Sequence, residues 1–200
     1  MSSVRRSLAT LALLLAGATS AHAVIVFSSN ITGGQEVPSR ASTAFGSARL
    51  VLNDNQNALS YFITINGLDL TGAQSAALGD NLTGGHFHFA PPGANGPVVF
   101  GFFGAPIHDN NPNDLIVTPF TSGVGGTISG KWDAAEGNNT TLTAQLANLL
   151  AGRIYLNFHT AQFPGGEIRG QILAVPEPGT LALLGIGLVG LGAARRRRQG

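Results

Sequence analysis

Cysteine is absent from the 200 residues. That excludes disulfides, thiolate metal sites and a cysteine nucleophile, and it leaves the core to carry the stability of the fold. Charge is scarce too: Asp, Glu, Lys and Arg make up 10% of the chain. The formal charge of +1 belongs mostly to the two ends, because Arg5, Arg6 and Arg195 to Arg198 are six of the eleven basic residues. Residues 24–175 keep Arg40, Arg49, Lys131, Arg153 and Arg169 against nine acids, a net charge of −4. A mildly acidic domain is a poor partner for nucleic acid. No Ser-centred nucleophile elbow and no phosphate-cradling Gly loop after a strand is present. Gly123-Val-Gly-Gly126 reads as a flexible hairpin. No carboxylate spacing matches the pair that glycoside hydrolysis needs.

What the chain has in abundance is glycine, at 28 residues, with 10 prolines. Both punctuate turns, so the composition suits an all-β domain. Phe45–Leu52 alternates, with Ala48, Leu50 and Leu52 on one face. Leu59–Leu68 alternates again, with Leu59, Tyr61, Ile63 and Ile65 inward, and the polar turn Asn53–Asn57 joins the two into a hairpin. Further strands are expected near Val24–Phe27, Gly85–Phe89, Val98–Phe103, Leu115–Phe120, Val124–Trp132, Ile154–Thr160 and Glu167–Leu173. A helical turn is expected at Ala73–Leu78. One clear helix is expected at Thr143–Ala151, capped by Thr143 and ended by Gly152 in a left-handed conformation, with Leu146, Leu149 and Leu150 as its apolar stripe. About eight strands read as a β-sandwich or partly closed barrel.

The ends read as export signals. Arg5 and Arg6, the apolar run Leu8–Ala18 and Ala21-His22-Ala23 form a secretory signal peptide over residues 1–23. The domain proper spans 24–174 and a sorting segment 175–200. In that segment Pro176-Glu177-Pro178 precedes an apolar run, Gly179–Ala194, and then Arg195, Arg196, Arg197 and Arg198. The run has 16 residues, about 24 Å as a helix, and spans a bilayer only with help from its flanks. The arginines stop transfer on the cytoplasmic side.

Pro-Glu-Pro, a short Gly/Leu helix and a terminal arginine cluster, in that order, resemble the PEP-CTERM sorting signal of bacteria. The resemblance implies processing by an exosortase-type membrane protease and transient insertion in the inner membrane. It also implies an exopolysaccharide-producing Gram-negative host and delivery to the envelope or outside. The middle of the chain resembles the CHRD domain, first named from chordin. The matching stretches include Thr32-Gly-Gly-Gln-Glu-Val-Pro38, Gly46-Ser-Ala-Arg-Leu50, Gly85-His-Phe-His88, Ala90-Pro-Pro-Gly-Ala-Asn-Gly-Pro-Val-Val99, Leu149–Thr160 and Pro164–Ile172. This implies an all-β immunoglobulin-like or superoxide-dismutase-like antiparallel sandwich, and adds little about mechanism.

The chemistry-bearing residues are histidines. Residues two apart on a strand point the same way, so His86 and His88 present two imidazoles opposite Phe87 and Phe89. His159 faces away from Ile154, Leu156 and Phe158 on another strand. Three imidazoles from two strands suit copper or zinc, with His108 on a loop as a further contributor. The pattern resembles the copper sites of β-sandwich superoxide dismutases. The bland alternative is that the histidines hydrogen-bond to backbone or to Glu167 and hold the sheet together. Glu167 and Arg169 share a face and are expected to form a polar network with His159 or Arg153, joined by Glu36. The leading functional reading is a non-enzymatic envelope or matrix protein acting by contact with protein or exopolysaccharide. The alternative is a copper- or zinc-binding protein using the histidine face, and a redox enzyme comes third.

Overall fold

The alternating stretches become strands because one face of each carries β-branched and aromatic side chains that must leave water. The computed structural model describes residues 24–176 together with Gly185, Gly187 and Leu188. Among the described residues the elements run β1 (Ile25–Thr32), β2 (Phe45–Leu52), β3 (Ala58–Asn66), β4 (Leu82–Phe89), β5 (Val98–Gly104), β6 (Ile116–Pro119), β7 (Gly125–Asp133), α1 (Leu142–Leu150), β8 (Ile154–Thr160), β9 (Ile168–Gln171) and β10 (Leu173–Ala174). The strands form one sheet in the order β5-β4-β8-β9-β1-β2-β3-β7-β6, with β10 paired to β1. All these strand pairings are antiparallel. The fold is therefore all-β, a sheet curled into a half-barrel.

The curl brings the two halves of the sheet face to face. Phe87 of β4 lies 5.7 Å from Tyr61 of β3 and 5.5 Å from Trp132 of β7, measured between ring centroids. Phe100 of β5 stacks on Trp132 at 5.1 Å and 12°. The expected inward sets, Ala48/Leu50/Leu52 and Leu59/Tyr61/Ile63/Ile65, are all buried in this core. Among the described residues every member of the core lies between Phe27 and Ile172, so this core is built within residues 24–175.

Three local expectations need correction. Ala73–Leu78 forms no helix. The buried Asp69 carboxylate instead accepts from the backbone N–H groups of Thr71, Gly72, Gln74 and Ser75, which fixes the segment as a loop. The cap of α1 is Thr141 and not Thr143: its hydroxyl accepts from the Ala144 N–H at 3.1 Å, and the helix begins at Leu142. Its buried residues are Leu142 and Leu149, while Leu150 is 45% exposed. Gly152 does end the helix with φ +66°. The 1–23 segment, Glu177, Pro178 and Arg195–Arg198 lie outside the described residues. Among the described residues no helix is long and apolar enough to cross a membrane; Gly179–Ala194 falls almost wholly outside them.

Candidate metal centre

β4 lies between β5 and β8, and its register sets the site. His88 is opposite Tyr155, His86 opposite Asn157, and Gly84 opposite His159. With a period of two, His86 and His88 share a face with Tyr155, Asn157 and His159, the face turned away from Phe87, Leu156 and Phe158. The β4–β5 pairing carries register shifts at Gly85/His86 and Phe87/His88. Bulges of this kind re-aim side chains locally.

Glycines make the room. A Cβ on Gly84 would stand 2.9 Å from His86 Cε1 and 3.6 Å from His159 Cδ2, so the missing side chain is the space into which both rings lean. Gly101, opposite His86 on β5, has the same role: a Cβ there would meet the Pro106 carbonyl and His86 Cδ2.

The three imidazoles converge. Ring centroids are 4.9 Å apart for His86 and His159, 5.8 Å for His86 and His88, and 6.0 Å for His88 and His159. One ring nitrogen from each lies within 4.8 Å of the other two. Three nitrogens bound to one ion at ~2.0–2.1 Å sit roughly 3.3–3.6 Å apart, a spacing that rotation of the rings can reach.

Hydrogen bonding orients two of the three. His88 Nδ1 lies 3.0 Å from the Gly96 carbonyl and His159 Nδ1 2.9 Å from the Pro164 carbonyl. A carbonyl only accepts, so each Nδ1 carries the proton and each Nε2 presents a lone pair. The Nε2 atoms of His86, His88 and His159 are buried without a hydrogen-bond partner. A backbone carbonyl on one nitrogen and an open lone pair on the other is the usual posture of a ligating histidine.

Burial is the largest influence on the protonation of all three. It pulls His86 down to about 4, helped by the nearby charges of His159 and His88. It pulls His88 down to about 4 as well, against its bond to Gly96 and with the Arg169 charge assisting. His159 is lowered by burial in spite of its bond to Pro164. The site is therefore neutral near pH 7, as metal ligation requires. His86 and His88 are buried and His159 is half-buried, so approach is from the His159 side.

No carboxylate joins the cluster among the described residues. Glu167 is buried, but its two oxygens accept from the hydroxyls of Ser42 and Thr160. His108 is not one of the converging three: its Nδ1 accepts from the Gly101 N–H at 3.1 Å and its backbone N–H donates to the Gly101 carbonyl at 2.8 Å. It pins the 105–109 loop beside β5.

A family model of the CHRD domain matches residues 27–172. The chain belongs to the CHRD family. A model of the PEP-CTERM protein-sorting motif matches residues 174–198. The protein is thus an exported, envelope-associated CHRD protein carrying the motif that exosortase processes. No curated protein and no solved structure matches it. Of the sorting residues, Pro176 is described, exposed and two residues beyond β10.

Around the histidines this CHRD domain holds a second layer that sequence reasoning assigned only in part. Tyr155 stacks on His88 at 4.9 Å and 17°, and its hydroxyl accepts from the Gly96 N–H. Arg169 lies over the opposite neighbourhood of that network, its Cζ 3.4 Å from the Tyr155 ring centroid. Arg169 thus pairs with an aromatic face, and the expected network of Glu167 and Arg169 with His159 or Arg153 does not form as an ion pair. The signals for Gly84, Gly96 and Tyr155 were in the text of the chain, but only the β4–β8 register gives them meaning.

Proposed function

We propose that this exported CHRD protein binds a copper or zinc ion through His86, His88 and His159. One observation carries the reading: three buried or half-buried imidazoles each offer a ring nitrogen within 4.8 Å of the other two, their Nε2 atoms have no partner, and backbone carbonyls hold the Nδ1 atoms of His88 and His159. Each buried acceptor left unmade costs about 1–3 kcal/mol. One ion would satisfy all three together. Three protein ligands with an approach on the His159 side leave a position for water or a small molecule. The sorting motif supports a route in which the tail inserts in the inner membrane, exosortase removes it, and the domain is released to the envelope.

The bland reading and the metal reading are compatible, because an imidazole has two nitrogens. Backbone bonding uses Nδ1 and leaves Nε2 free. The test is metal content of residues 24–175, purified without a histidine tag and dialysed. Stoichiometric copper or zinc, lost in His86→Ala/His88→Ala, is the expected result. No retained metal after both ions are offered would end the proposal.

A role by contact with the extracellular matrix is supported by a different surface. Ile116 and Phe62 are both paired to Ser129 across the outer face of β6, β7 and β3, and are 59% and 53% exposed. Loss of co-sedimentation with the host's matrix in Phe62→Ser/Ile116→Ser is the outcome expected of that role.

A further inference from the structure

A buried charge lies outside the neutral histidine cluster. Arg169 is 1% exposed, yet its guanidinium has no carboxylate within 4.0 Å among the described residues. Its Nη1 donates to Asn95 Oδ1 at a long 3.3 Å, and Nη2 has no partner. Glu36, 6% exposed, has an unpartnered Oε1. Both side chains line one cleft of about 270 Å³ with Gln171, Gln35 and the backbones at Gly34 and Gly93. A buried guanidinium with free N–H groups costs stability unless something accepts from it. A cleft of this size holds a fragment-sized ligand.

We infer that the Arg169 cleft is a binding site for a small monocarboxylate, separate from the histidine centre. Charge decides the class. Arg40 acts on Glu36 but does not line the cleft, so inside it one guanidinium beside a carboxyl group balances one negative charge, and a doubly charged phosphate is disfavoured. Guanidinium geometry matches a carboxylate through parallel N–H donors. Burial raises Glu36 to about 7, against the pull of Arg169 and Arg40. Near neutral pH it is therefore partly protonated and able to donate to the same ligand. The inference stands whether or not the histidines bind metal.

The test is an NMR titration of residues 24–175 with lactate, with its uncharged isostere lactamide, and with inorganic phosphate. Lactate is expected to move the amide signals of Gly34, Gly93 and Gln171 at millimolar concentration, and lactamide to bind about ten-fold more weakly. Two variants keep Arg169 in place. Gly34→Leu fills the cleft from a position where a Cβ meets only Thr32 Oγ1, at 3.9 Å, and is expected to abolish the shifts. Glu36→Gln removes a partly screened like charge and is expected to tighten lactate binding about three- to five-fold. Absence of lactate shifts, equal binding of lactamide, tighter binding of phosphate, or lactate binding that survives Gly34→Leu would each overturn the assignment.

Discussion

Asp69 and the three histidines are both buried polar groups in a chain with few charges, and they are finished differently. The Asp69 carboxylate is 0% exposed and accepts from four backbone N–H groups and the Thr71 hydroxyl. Burial pushes its pKa up, but the N–H groups of Thr71, Ser75, Gln74 and Gly72 outweigh that and hold it at about 2. Nothing is left for a ligand to do. The histidines are satisfied at Nδ1 in two cases and at Nε2 in none. A completed polar group is scaffold. A polar group aimed by its neighbours and left open is a site, and the open positions are where this fold gives up stability.

The largest expected effect tests the finished side of the comparison. Asp69→Ala strips an acceptor from four N–H groups, and is expected to cost about 3 kcal/mol. For a domain of this size that lowers Tm by roughly 6–12 °C. Thermal unfolding of residues 24–175 measures it, and metal binding should be untouched. The wild-type carboxylate is stabilised as an anion, so its contribution is present above about pH 4 and fades as pH falls toward 2. A variant as stable as the parent would show that the loop is held by something other than Asp69.

The open side predicts the reverse pattern. Copper or zinc at a hundred times its dissociation constant is expected to add about 2.7 kcal/mol to the folded state. His86→Ala/His88→Ala should lose that gain entirely. Calorimetry with and without the ion reads both. A metal-induced gain that survives in the double variant would move the ion elsewhere. The pH dependence of the apo domain follows from the direction of the shifts. His86 and His88 are lowered to about 4, so between about pH 6.5 and 4 the unfolded chain takes up protons that the folded one refuses. Stability should therefore fall across that window as pH drops. An apo domain whose Tm is flat from pH 7 to 4.5 would mean the rings are solvated and ordinary.

How much of this was legible in the sequence depends on range. Alternation placed β2, β3 and β8 with their inward faces, because period two is local and apolar burial enforces it. It also put His86 and His88 on one side. It could say only that His159 lies opposite its own apolar neighbours; bringing it against His86 takes the Gly84–His159 pairing of strands some seventy residues apart. The helix turn at Ala73–Leu78 was misread because local propensity is weak against a single buried carboxylate that collects four N–H groups. Thr141 was missed as cap because Thr143 is equally good by residue type, and only the Ala144 bond separates them. The outer face of β8 and β9 read as polar, and alternation alone says nothing of what covers it. In the fold Tyr155, Asn157, Arg169 and Gln171 are all buried, and Tyr155, Arg169 and Gln171 bond to Gly96, Asn95 and Ala90 of the loop after β4.

A smaller effect probes the space between the rings. Gly84→Ala puts a methyl 2.9 Å from His86 Cε1, so the ring must move and the backbone need not. About 1 kcal/mol of stability is expected to go, while metal affinity falls by about ten-fold or more as the nitrogens lose their common point. Equal losses in stability and in affinity would make Gly84 a packing residue only.

The smallest effect is the most informative about orientation. Tyr155→Phe keeps the ring that stacks between Arg169 and His88 and removes the hydroxyl that accepts from the Gly96 N–H. Gly96 is also the residue whose carbonyl holds His88 Nδ1. The lost hydrogen bond should cost about 0.5–1.5 kcal/mol. If the carbonyl's position is what aims His88, metal affinity should fall by a few-fold as well, and the His88 imidazole signal should shift in the apo protein. A stability loss with unchanged affinity would leave His88 aimed by its strand alone, and would assign the aiming to the β4 bulge beside it.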